Sequence, residues 1–99
     1  MMETAVDQTA EILAMYGTPE QRRDYALMDA NRIYREARIA AHDAYLAAGG
    51  SADDLASPKD QTGEPLYEAL KSAIQDAAEA YSRRRAEALE TFRTEMAQF

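Results

Sequence analysis

The two longest periodic stretches of this chain, residues 18–48 and 64–99, offer mostly alanine to whatever they pack against. Ala26, Ala30, Ile33, Ala37, Ala40, Ala44 and Ala47 alternate four and three apart, the spacing of a heptad seam on one helix face. Leu27, Tyr34, Ala41, Tyr45 and Ala48 widen that face. A small-residue seam lets helix backbones approach closely but supplies little apolar volume per turn. The chain holds 21 Ala against 14 Val, Ile, Leu and Phe together, so one copy is short of the apolar surface a stable core needs. These residues predict an all-α fold, a long antiparallel helical hairpin completed by self-association.

Thr18-Pro19-Glu20-Gln21 marks where the first long helix starts. Thr18 suits the N-cap, Pro19 the first helical position, and Gln21 the far side of a capping box. Gly49-Gly50 stops the helix, giving an expected span of 19–48. The second long helix is expected over 64–97, opening at Glu64-Pro65. Its face is Leu66, Leu70, Ala73, Ile74, Ala77, Tyr81, Ala88, Phe92, Met96 and Phe99, interrupted by Arg84 and Arg85. Residues 49–63 form the connector, where Ser51 to Asp54 suits one short turn and Ser57-Pro58 a break. A short amphipathic helix is expected over 3–16, with Met2, Val6, Ala10 and Leu13 on one stripe and Glu3, Asp7 and Glu11 on another. All 99 residues read as a single helical domain.

Composition excludes several classes of chemistry. With no cysteine there are no disulfides, thiolate metal sites or cysteine nucleophiles. The net charge of −7 argues against DNA or RNA polymers as partners. No apolar run is long enough for a signal or a membrane span, so the expectation is a soluble, cytoplasmic protein with no membrane partner. His42 is the sole histidine, and Arg38 and Ile39 occupy the positions one turn below it, so it has no carboxylate partner there. It reads as a surface residue, and the row Glu3, Asp7, Glu11 as a solvated face. No Gly-rich phosphate loop, triad or metal spacing occurs. The expectation is therefore no enzyme, no cofactor and no metal.

Arginine carries the remaining signal. Asn31, Arg35, Arg38 and His42 share a stripe with Arg32 beside it, and Arg83-Arg84-Arg85 sits in the last helix. An antiparallel pairing about the middle of the connector would put Arg32 level with Tyr81, and Arg83 to Arg85 level with Met28 to Ala30. Guanidinium forks suit phosphates and carboxylates, and the six tyrosines could stack on bases or on arginine. Two readings stand. In one, Asp29, Glu36, Glu79 and Glu87 neutralise the arginines, with Glu79, Arg83 and Glu87 forming a surface ladder; in the other, Tyr and Arg build an anion or nucleotide pocket.

The order of a short helix, Tyr16-Gly17-Thr18-Pro19-Glu20-Gln21, Tyr25 a turn later and two long antiparallel helices resembles the phage anti-CBASS sponge proteins. These are small oligomeric helical proteins that sequester cyclic oligonucleotides. The resemblance implies that Tyr16 stacks on a base and that Arg32 stands in for the family's phosphate-contacting Lys. Gly17 replaces the family's usual His, the connector is longer, and the family's Asn- and Ala-rich C-terminal stretch has no counterpart. The expected ligand-binding set is Tyr16, Tyr25, Arg32, Arg35, Arg83, Arg84 and Arg85. The alternatives are an acidic inhibitor or adaptor that binds a protein target, or a self-assembling structural scaffold.

Overall fold

In a computed structural model, the chain is described at residue 9 and over 11–98, and helix accounts for nearly all of its regular structure. A short helix α1 covers 11–16, followed by α2 (Pro19–Ala47) and α3 (Pro65–Ala97), which pack against each other as a hairpin. Two 3-10 turns, Asp54–Ala56 and Pro58–Gln61, fill the connector. No strand occurs among the described residues. Half of the expected first helix lies outside them, including Glu3, Val6, Asp7 and Ala10, as do Met2 before it and Phe99 at the end of the expected α3 face.

Local chemistry explains the boundaries. At the start of α2, the Gln21 amide donates to Thr18 Oγ1 at 3.1 Å, and the Thr18 amide donates to Gln21 Oε1 at 2.9 Å. This reciprocal capping box satisfies donors that the first helical turn leaves unpaired. At the end of α2, Gly49 takes φ 106°, the Gly50 amide bonds Tyr45 O at 2.9 Å, and the Gly49 amide bonds Leu46 O at 3.1 Å. Those two bonds form a Schellman motif and turn the chain out of the helix. In the connector, Ser57-Pro58 ends the first turn after Ala56 as expected, and Pro58 also opens the second from its first position, where its missing N–H costs nothing.

The chain falls into two compact units, one of 1–31 with 82–99 and one of 32–81. In the unit holding the termini, Ala30 and Ala88 are buried. There the Arg23 guanidinium lies 4.4 Å from the centroid of Phe92, a cation–π contact between α2 and α3. Arg22 donates to Gly17 O and pairs with Glu95, joining the turn before α2 to both long helices. Both side chains of the pair keep about a third or less of their surface in water. Arg22→Ala is therefore expected to lower unfolding free energy by about 1–2 kcal/mol, measured by urea denaturation. A loss below about 0.5 kcal/mol would show that neither contact matters to folding.

In the unit holding the connector, Tyr45 and Leu70 are each 5% exposed, and the Tyr34 and Tyr81 rings meet at 5.4 Å between centroids. The observed pairing sets Tyr34 against Tyr81, where the sequence placed Arg32, a slip of about two residues. The heptad seam also drifts. Ala30 is buried and Ile33 and Ala37 are half-buried, but Ala40, Ala44 and Ala47 are exposed, and burial passes to Ala41 and Tyr45. A straight helix turns about 20° per heptad away from a strict 3.5-residue repeat, so the line of contact moves to the neighbouring row. On α3, Leu70 and Ala88 are buried, Ile74, Ala77, Tyr81 and Phe92 are half-buried, and Leu66, Ala73 and Met96 are exposed.

Candidate functional site: an arginine face on α2

Position 35 and its neighbours are placed by α2 alone. One helical turn separates Arg35 from Arg38 and Ile39, and another brings His42 onto the same side, so the four line one open depression of about 230 Å³. Arg35 and Arg38 are exposed and His42 is half-buried. Among the described residues, no carboxylate lies within 4.0 Å of Arg35 or Arg38. Arg38 is held instead by the Tyr34 ring, with its Cζ 5.6 Å from the centroid, while Tyr34 leans on Tyr81. An aromatic face orients a guanidinium without neutralising it, so its charge stays available. Ile39, 61% exposed, gives the depression an apolar patch between the two arginines and the histidine.

The other expected site residues fall elsewhere. Arg32 is half-buried and bonds both carboxylate oxygens of Glu36 at 3.1 Å, so Glu36 neutralises it as one of the two readings required. Arg83, Arg84 and Arg85 are all exposed on α3 and form no ion pair among the described residues. The expected ladder of Glu79, Arg83 and Glu87 does not form, and intrahelical pairs appear at Arg32–Glu36 and Glu90–Arg93. Tyr16 is 78% exposed at the end of α1, and Tyr25 is half-buried in α2. Sequence reasoning set Arg35, Arg38 and His42 on one stripe but took only Arg35 into the site. What separates Arg38 from the rest is its place one turn after Tyr34, an i, i+4 aromatic–cation spacing visible in the sequence.

Among the described residues there is no group of three or more His, Asp or Glu side chains placed to hold a metal ion. No helix among them is long and apolar enough to cross a membrane. Comparisons with protein-family models, with curated proteins and with solved structures returned no match for this chain.

Proposed function

We propose that this chain is a non-enzymatic binding protein that takes a small phosphorylated ligand on the Arg35–Arg38–His42 face of α2. A sponge that sequesters a cyclic oligonucleotide is the most specific form of this reading. The observation that carries it is the pair of exposed guanidinium groups without carboxylate partners, beside an apolar patch, in a chain of net charge −7. Forked donors on Arg35 and Arg38 match phosphate oxygens, and Ile39 offers a base or ribose an apolar surface. About 230 Å³ suits a phosphate and part of a nucleotide, less than the 300–1,000 Å³ typical of an enclosed drug-sized site. The Tyr34 ring is already engaged by Arg38 and Tyr81, so stacking on it is not part of this reading.

The test is a thermal-shift series with cyclic di- and trinucleotides, ADP-ribose, ATP and plain phosphate. A ligand at 100 times its Kd stabilises the fold by about 2.7 kcal/mol, several degrees in a domain of this size. Arg35→Glu with Arg38→Glu is expected to abolish the shift, while Arg84→Glu with Arg85→Glu leaves it intact. A shift lost only in the second pair would move the site to α3. No shift with any compound would reject phosphorylated-ligand capture.

A second reading rests on the connector. Asp53, Asp54 and Asp60 are exposed and form no ion pair among the described residues, as an acidic docking surface for a protein target requires. Binding through this surface would weaken steeply between 50 and 500 mM salt, roughly the range over which the Debye length shrinks from above 10 Å to below 5 Å.

A further inference from the structure

We propose that the paired rings of Tyr34 and Tyr81 fix Arg38 in place and so set the affinity of the α2 face for an anionic ligand. Tyr81 does this from α3, as a positioning residue outside the depression that Arg35, Arg38, Ile39 and His42 line. The inference rests on the phosphate-binding reading of that face and adds a second helix to it. No carboxylate stands one turn from either arginine on α2. Asn31, Arg32, Arg38 and Ile39 hold those positions for Arg35, and Tyr34, Arg35, Ala41 and His42 hold them for Arg38. Glu36, the acid nearest both in sequence, is taken by Arg32, which bonds its two oxygens at 3.1 Å. Long side chains on a helix lean toward its N-terminus, so Arg38 meets the turn that carries Tyr34. Its Cζ lies 5.6 Å from the ring centroid, inside the roughly 6 Å reach of a cation–π contact.

What Tyr34 does for Arg38, Tyr81 does for Tyr34. Alone on a helix face, a tyrosine ring can change rotamer and carry the guanidinium with it. Here the Tyr81 ring lies 5.4 Å away at a tilt of 39°, a favoured aromatic geometry, and both residues are half-buried. Support therefore runs from α3 through two rings to one exposed charge. Arg35 has none of it: among the described residues it meets neither a carboxylate nor an aromatic ring. One arginine of the face is thus ordered before a ligand arrives, and the other must be ordered by it. Immobilising a long side chain on binding weakens affinity by roughly 2- to 12-fold. The ring pair removes that cost for Arg38 and leaves it for Arg35.

The experiment reads Arg38 directly, by NMR of its Hδ protons, alongside calorimetric titration with ATP and with a cyclic dinucleotide. In the wild type without ligand, the Tyr34 ring current should move the Arg38 Hδ protons upfield of those of Arg35. Tyr34→Phe keeps a ring and should keep both the shift and the affinity. Tyr34→Leu and Tyr81→Leu, each checked for helicity by circular dichroism, should lose the shift and bind the probes roughly 2- to 12-fold more weakly. A merely structural role for the rings would lower stability and leave the Arg38 shift and the affinity of the folded protein unmoved. If neither leucine variant folds, the wild-type comparison of Arg38 with Arg35 decides by itself. Equal shifts for the two arginines overturn the proposal, as does a folded leucine variant that binds as tightly as the wild type. The two readings fail differently. A wild type with a shifted Arg38 that binds neither probe would sink phosphate capture, and the affinity role with it, whereas equal shifts with intact binding would sink the ring pair alone.

Discussion

Leu70→Ala is expected to lower the unfolding free energy by about 2–5 kcal/mol, the usual range for truncating a buried leucine. Leu70 is 5% exposed, and apart from Tyr45 the other buried hydrophobic residues described are alanines, Ala30 and Ala88. A core assembled from such small side chains has few large groups to lose. A typical domain is stable by only about 5–15 kcal/mol, so this one change would consume a large share of the total. Urea denaturation at fixed protein concentration measures it, because an associating chain gains apparent stability by mass action. Met28→Ala serves as reference. Met28 is exposed, and its removal should shift stability by no more than about 0.5 kcal/mol. Equal effects at the two positions would mean that Leu70 does not anchor the connector unit.

Gly50→Ala is expected to destabilise the chain by about 1–3 kcal/mol, through overpacking. A Cβ added at Gly50 would lie well inside van der Waals contact with Cε1 and Cζ of the Tyr45 ring. That ring is buried, so it cannot swing into solvent without opening the core of its unit. The neighbouring glycine offers a contrast in mechanism. A Cβ at Gly49 would meet nothing within 4 Å, but φ is 106°, and an L side chain there costs roughly 1–2 kcal/mol in the backbone itself. A double-mutant cycle separates the two. In a Tyr45→Ala background the cost of Gly50→Ala should largely vanish, while that of Gly49→Ala persists. An unchanged Gly50→Ala penalty in that background would place its cause in the backbone.

Local signals read well from the sequence because each depends on a few adjacent residues. The Thr18–Gln21 box, Pro19 at the head of α2 and Gly49 past its end all stand where they were expected. Helix bounds of 19–47 and 65–97 lie within a residue of those expected. Charge pairing was less legible. Glu36 could reach Arg32 and Glu79 could reach Arg83 at the same i, i+4 spacing, yet only the first pair forms. Exposed ion pairs are worth so little that side-chain packing and entropy decide between them, and sequence spacing does not encode that balance. The candidate site was half visible. The stripe of Arg35, Arg38 and His42 follows from helical periodicity, but Arg32 leaves the set once Glu36 takes its charge.

By itself, the sequence determined an all-α chain, the starts and stops of two long helices, and their antiparallel pairing as a hairpin. Capping, glycine and proline chemistry and the 3.6-residue period act over a turn or two, so they survive without knowledge of the partner helix. Only the tertiary structure decided which alanines are buried and that Tyr34 meets Tyr81. Those outcomes depend on the axial slip and rotation of one helix against another. A seam of near-identical alanines scarcely distinguishes neighbouring registers, because each presents almost the same surface. The few bulky residues, Tyr34, Tyr45, Leu70, Tyr81 and Phe92, select the register by where their side chains fit.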